Sequence, residues 1–152
     1  MSDAISPWAG SATRESPNGR YVAFFDGDGG EICMGGPLRG TLKIRRKDEE
    51  HWLMVFPESS ASFVWSEDSC AIAVPRWTRR REHQLCVIRV PQGETVEMHA
   101  RFRVLQLESF RDGVIEGIDS PVHKPEKFTA SFKDGRTLLP VGECRKPWWK
   151  VF

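Results

Sequence analysis

The chain has 152 residues, of which 39% are hydrophobic and 28% charged, and this composition excludes both a disordered chain and a membrane protein. Its formal net charge is +1, whereas a dedicated nucleic-acid-binding protein usually carries a large basic excess. The 13 Gly and 10 Pro residues predict frequent turns and favour many short strands over long helices. We therefore expect a single all-β domain over residues 1–152.

The first predicted unit covers about residues 14–57. A polar turn at residues 16–19 precedes an apolar strand at 21–24, and further strands are predicted at 41–45 and 51–56. The charged segment between the last two strands lacks apolar residues at helical spacing. It therefore predicts a hairpin turn and not a helix.

The second predicted unit, about residues 63–100, repeats this layout 50 residues later. The turn Ser66-Glu67-Asp68-Ser69 occupies the place of Ser16-Pro17-Asn18-Gly19, and apolar strands follow at 70–74, 84–90 and 95–99. A period near 50 residues with several strands per unit is typical of propeller repeats.

The remaining residues, about 101–152, predict two hairpins. Asp112-Gly113 joins strands at 103–110 and 114–118, because Asp-Gly between alternating apolar runs favours a tight turn. Asp134-Gly135 predicts a second hairpin between strands at 128–132 and 137–139. The end of the chain, residues 146–152, is either an edge strand or a docking tail.

The repeated turn and strand at residues 16–24 and 64–74, together with the strand at 87–90, resemble the blades of TolB-type or WD40-like β-propellers. The resemblance covers about residues 14–100. It implies antiparallel sheets arranged in blade-like units. A propeller closes with roughly 4 to 8 blades, and this chain supplies about three, so we expect an open arrangement.

A wider pattern combines the turn at residues 16–21 with the segments 34–42, 64–69, 73–77 and 117–122. The combination resembles small bacterial propeller-repeat proteins, some of which are encoded beside Rhs-like polymorphic toxins. That resemblance implies an immunity protein, which neutralises a cognate toxin by binding to it.

A basic run between two predicted strands is the first candidate binding segment. It contains Trp77, Arg79, Arg80 and Arg81. Arginine side chains suit an acidic patch on a protein partner, and Trp77 would be an aromatic anchor. A solvated hairpin loop explains the same residues, and the near-zero net charge disfavours nucleic acid as the partner.

An acidic, Gly-rich segment is the second candidate. Asp26, Asp28 and Glu31 lie within six residues and would meet a basic partner surface. A calcium loop is the alternative, but the spacing of an EF-hand and its bidentate final Glu are missing. We therefore expect no metal and no cofactor.

Signatures of catalysis are missing from the sequence. It contains no G-x-S-x-G, no Walker loop, no H-E-x-x-H and no C-x-x-C. We therefore expect a protein that is not an enzyme.

The sequence also predicts the cellular location of the protein and two of its core residues. The N-terminus lacks a signal peptide, and no apolar run approaches the ~18 residues of a membrane span. We therefore expect a cytoplasmic protein with reduced cysteines at positions 33, 70, 86 and 144. Trp52 and Trp65 lie in apolar runs, so both are predicted to be in the core.

Together these features predict a non-catalytic protein that binds a toxin domain. Two alternatives remain open. One is a propeller-like scaffold that self-associates through unpaired strand edges. The other is a metal-dependent enzyme with its metal at the acidic turn.

Overall fold

The computed structural model describes residues 4–31, 34–122, 124–131 and 136–138. These residues form twelve β-strands and no helix, which confirms the all-β prediction. The strands are β1 (Ser11–Glu15), β2 (Tyr21–Asp26), β3 (Gly40–Arg46), β4 (Met54–Ser59), β5 (Val64–Trp65), β6 (Ala71–Trp77), β7 (His83–Arg89), β8 (Thr95–Phe102), β9 (Leu105–Arg111), β10 (Val114–Asp119), β11 (Glu126–Ser131) and β12 (Arg136–Leu138).

Strands β1 to β4 form an antiparallel meander in which each strand pairs with the next along the chain. Strands β5 to β8 repeat the arrangement. A pairing of β4 with β6 joins the two meanders, and β12 pairs with β8, so nine strands form one curled, open sheet. Strands β9 to β11 form a separate antiparallel sheet. The prediction of about three antiparallel units that do not close is confirmed.

The same turn joins the first strand to the second in each of the two meanders. In the first turn, the Oγ of Ser16 accepts the N–H of Tyr21 at 3.0 Å and donates to Oδ1 of Asn18 at 2.7 Å. In the second turn, Ser66 accepts the N–H of the first β6 residue at 3.0 Å and donates to Asp68 at 2.6 Å. A Ser followed two residues later by Asn or Asp builds this turn from local hydrogen bonds.

Pro75 marks the point at which β6 changes its partner along one edge. Strand β5 pairs with β6 as far as Ala73, and β4 pairs with it at Arg76. The Pro75 carbonyl accepts the N–H of Ser60 at 2.9 Å on this edge. The N–H and C=O of a strand residue point to the same neighbouring strand. The N–H that Pro75 lacks would therefore point to this edge, between the segment that pairs with β5 and the segment that pairs with β4, so no ladder hydrogen bond is lost there.

Strands β6 and β7 are buried on both faces. On one face Ile72 and Ile88 pack with residues of the first meander, including Leu42. On the other face Leu85 packs with residues of the small sheet, including Leu105. Burial on both sides explains why these two strands are continuously apolar and do not alternate.

Two side chains bind the small sheet to the large one through hydrogen bonds. One belongs to β7 and the other to the connection between β4 and β5. The N–H of Leu105 donates to Nδ1 of His83 at 2.8 Å, and the N–H of Leu107 donates to Oγ of Ser62 at 2.9 Å. Both acceptors are fully buried. They satisfy two β9 donors that would otherwise be buried without a partner.

The two Asp-Gly turns have different outcomes. Asp112 and Gly113 have φ of 52° and 74° and join β9 to β10, as predicted. The hairpin predicted at residues 133–136 is wrong: β11 pairs with β10, whereas β12 pairs with β8 at the edge of the large sheet. The turn itself, together with Cys33, Cys144 and the segment 146–152, lies outside the described residues.

The prediction that Trp52 lies in the core is wrong. Strand β4 starts at Met54, so Trp52 lies in the β3–β4 connection, where it is 36% exposed. The inward positions belong to Met54 and Phe56, which alternate along β4. Trp65 is 8% exposed and packs in the core, as predicted.

Candidate functional site

The acidic segment forms the β2–β3 connection, a narrow hairpin-like loop. Gly29 donates its N–H to the carbonyl of Arg39 at 2.9 Å, and Arg39 donates to the carbonyl of Gly30 at 2.8 Å. A Cβ at Gly29 would lie 2.8 Å from the Arg39 carbonyl oxygen. The glycines therefore allow two backbone segments to approach closely, which explains the Gly-rich pattern without a phosphate ligand.

The three acidic side chains of this loop are exposed and do not converge. Asp26 is the last residue of β2, and Asp28 accepts a hydrogen bond from Oγ1 of Thr41 at 3.4 Å. The backbone of Glu31 forms an isolated antiparallel β-bridge with that of Leu38. Within the described ranges, no three His, Cys, Asp or Glu side chains come together in a metal-binding group.

The basic run forms the β6–β7 turn. Thr78 donates its N–H to the carbonyl of Glu82 at 2.9 Å, and Arg81 donates its N–H to the carbonyl of Thr78 at 3.0 Å. Arg81 has a φ of 61°, a left-handed conformation that costs a non-glycine residue roughly 1 kcal/mol. Arg79, Arg80 and Arg81 are exposed.

These two loops meet at one surface depression, which we call the loop pocket. It has a volume of about 540 Å³. Among the predicted residues, it brings together Glu31, Trp77, Arg79 and Arg81. Asp26, Asp28 and Arg80 do not line it. Its remaining lining residues are Arg39, Glu58 and Thr78.

Trp77 forms a buried wall of the loop pocket and is not an exposed anchor. Its side chain is 6% exposed, and its indole N–H donates to the Leu38 carbonyl at 3.3 Å. Its ring meets the His83 ring edge-on, with centroids 4.1 Å apart. Trp77 therefore ties the β6–β7 turn to the β2–β3 loop.

The loop pocket carries charges of both signs. Arg39 and Glu58 form an ion pair across it at 3.5 Å. Among the described residues, Arg79 and Arg81 have no carboxylate within 4 Å. The site thus offers two guanidinium groups to an incoming acceptor, with a carboxylate beside them at Glu31.

Arg39 and Glu58 are the lining residues that sequence reasoning missed. Glu58 has a φ of 61°, beside a register shift between β3 and β4. A bulge of this kind redirects a side chain, and no local sequence pattern announces it. Arg39 precedes Gly40, where a Cβ would overlap the Asp26 carbonyl oxygen, but this crowding exists only in the folded chain and gave no signal in the sequence.

Two buried titratable groups of β7, His83 and Cys86, are held in neutral forms. Burial lowers the pKa of His83 to about 3, and its Nδ1 accepts the Leu105 N–H, so the proton is on Nε2. Burial also raises the pKa of the Cys86 thiol to about 12. Neither group is poised for proton transfer or nucleophilic attack near neutral pH, and both serve the scaffold.

Comparison of the chain with protein-family models, with curated proteins and with solved structures found no match. In the part of the chain that the structure describes, no helix is long and apolar enough to cross a membrane.

Proposed function

We propose that this protein is a non-catalytic binding protein whose partner is another protein, and that it acts as an immunity protein for a bacterial toxin domain. The observation that carries the proposal is the loop pocket, where an acidic loop and a basic turn, distant in sequence, line one surface. Mixed charge held on a sheet gives specificity and fast association, and it requires no chemistry of the binder itself.

Rigidity of the loop pocket supports this proposal. The Trp77 indole binds the backbone of the opposite loop at 3.3 Å, and Gly29 and Arg39 close that loop through main-chain hydrogen bonds. A surface that is ordered before binding loses less conformational entropy when the complex forms.

Free guanidinium groups indicate the chemistry of the partner. Arg79 and Arg81 have no carboxylate partner among the described residues, and Arg39 is already engaged by Glu58. We expect the partner to supply one or more carboxylates to the two arginines and a cationic group to Glu31. The toxin as partner follows from the resemblance of the sequence to proteins encoded beside Rhs-like toxins.

Co-expression is the experiment that tests this function. The toxin domain encoded by the neighbouring gene is induced in a bacterial host with and without this protein, and growth is measured. We expect the wild-type protein to restore growth, the double variant Arg79→Glu/Arg81→Glu to fail, and the exposed control Arg20→Glu to succeed. The absence of a neighbouring toxin gene, or failure of the wild type to rescue, would contradict the proposal.

Self-association is the second candidate function, and one feature favours it. Strand β1 is an edge of the large sheet, and four of its five residues are exposed. An exposed edge strand can pair with a second copy of the chain. Sedimentation equilibrium separates the two candidates, because a stable homo-oligomer favours the scaffold and a monomer favours the binder of a foreign protein.

A further inference from the structure

A second surface, remote in sequence from the basic turn, lies on the outer face of the first meander. It consists of Phe24, Lys43, Arg45, Trp52 and Val55, and we call it the aromatic–cationic face. Phe24 pairs with Lys43, which pairs in turn with Val55, so these three form one row across β2, β3 and β4. Trp52 lies over this row from the β3–β4 connection.

Trp52 is held firmly despite its exposure. Its ring stacks on Phe24 with centroids 6.4 Å apart and an interplanar angle of 21°. Lys43 Nζ and Arg45 Cζ each lie 5.7 Å from the ring centroid. Arg45 is itself fixed, because its Nη1 lies 2.9 to 3.1 Å from three carbonyl oxygens, one at the end of β3 and two in the β3–β4 connection.

The charges on this face are not neutralised within the described part of the chain. Neither Lys43 nor Arg45 has a carboxylate within 4 Å there. The carboxylates at the rim are committed elsewhere: Glu15 pairs with Lys47 at 2.9 Å, and Glu49 pairs with Arg46 at 3.9 Å. Two cations therefore stand beside exposed apolar surface of Trp52 and Val55.

We propose that the aromatic–cationic face binds an extended acidic peptide segment of a partner protein. Carboxylates of that segment pair with Lys43 and Arg45, and apolar side chains between them pack on Trp52 and Val55. An extended strand suits this face because its side chains alternate, as do those of the sheet beneath it.

An acidic peptide fits this face better than a single-stranded nucleic acid does. Stacking of bases needs a free aromatic face, and the Trp52 ring already contacts Phe24, Lys43 and Arg45. This surface is distinct from the loop pocket, so the inference goes beyond the proposed function and does not depend on it.

The test uses three probes against the full-length, ¹⁵N-labelled protein: the peptide Glu-Val-Glu-Ser-Glu-Val-Glu-Ser, its counterpart with Gln for Glu, and a short oligothymidylate. Indole and amide signals are followed by NMR, and the Trp52 indole is assigned with Trp52→Phe. We expect only the acidic peptide to shift the signals of Trp52 and Lys43. Shifts by oligothymidylate alone, shifts by the Gln peptide of equal size, or no shift at all would overturn the proposal.

Matched variants sharpen this test. Lys43→Glu should weaken binding of the acidic peptide roughly fivefold to tenfold, since it replaces an attraction by a repulsion at the surface. Lys43→Gln should have a smaller effect, and Lys127→Glu, on the exposed strand β11, should have none. Retained binding by Arg79→Glu/Arg81→Glu would separate this face from the loop pocket, whereas unchanged binding by Lys43→Glu would refute the assignment.

Discussion

The backbone N–H of Asn18 donates a hydrogen bond to Oγ of Ser69, with 2.9 Å between the two atoms. The two residues are 51 positions apart and belong to the turns between the first two strands of the first and the second meander. The repeated turns are therefore in direct contact. A second link runs beside them, because the indole N–H of Trp65 donates to the carbonyl of Arg14 at 3.1 Å.

Ser69→Ala tests this link between the turns. The side chain is buried and Ser69 has a φ of 64°. Loss of the hydroxyl leaves the Asn18 N–H without its partner, so unfolding in urea should show a loss of about 1 kcal/mol. Ser69→Gly also removes the hydroxyl but tolerates the positive φ, so it should be about 1 kcal/mol more stable than Ser69→Ala. Equal stability of the wild type and Ser69→Ala would contradict the role of the hydrogen bond.

The stability of the protein should depend on pH through His83. Its folded pKa is about 3, against 6.5 in the unfolded chain, so below pH 6.5 the unfolded state binds a proton that the folded state does not. The free energy of unfolding should therefore fall as the pH drops from 6.5 towards 3, by about 2 kcal/mol at pH 5. Above pH 6.5 this contribution is constant.

His83→Asn is the matched variant for that measurement. An Asn side chain can present an oxygen to the Leu105 N–H but does not titrate. Urea unfolding at pH 5 to 6.5 should show a slope reduced by about one proton relative to the wild type. An unchanged slope in this variant would show that another group is responsible.

The cysteines should differ sharply in reactivity. Cys70 is exposed, whereas Cys86 is buried and burial raises the pKa of its thiol to about 12. Because the thiolate is the reactive form, iodoacetamide at pH 8 should modify Cys70 in the native protein and leave Cys86 intact. Mass spectrometry of the digested protein reads out both sites, and modification of Cys86 should appear only after unfolding in urea.

Gly40→Ala tests the close approach behind the acidic loop. A Cβ at this position would overlap the Asp26 carbonyl oxygen and lie 2.8 Å from the Cα of Gly27. Backbone must shift to accommodate it, and we expect a loss of roughly 1–3 kcal/mol in thermal or urea unfolding. Gly10→Ala is the control, because a Cβ there meets nothing within 4 Å. It should unfold like the wild type.

Features that depend on local chemistry could be predicted from the sequence. The turns that begin at Ser16 and Ser66 are built from hydrogen bonds within five residues, and Asp112-Gly113 sets its own backbone angles. The strands that flank these turns, and hence the similarity of the two meanders, could be predicted with them. The partner of β12 could not be predicted, because pairing with β8 depends on which sheet edge is open in three dimensions.

The candidate site was predictable only in part, for the same reason. Clustering of charge marked Glu31, Arg79 and Arg81 in the sequence, and the structure places these three at one surface. Glu58 reaches the loop pocket through an irregular backbone conformation, and the burial of Trp77 depends on the carbonyl of Leu38 in another loop. Neither relationship leaves a local pattern in the sequence.

Titration calorimetry of the purified protein with the toxin domain encoded by its neighbouring gene tests the central claim most directly. We predict a one-to-one complex, and a loss of at least about tenfold in affinity both for Arg79→Glu/Arg81→Glu and for Glu31→Lys, with Arg20→Glu unchanged. A complex of unaltered affinity in the loop-pocket variants, or heat from turnover in place of saturable binding, would contradict the account.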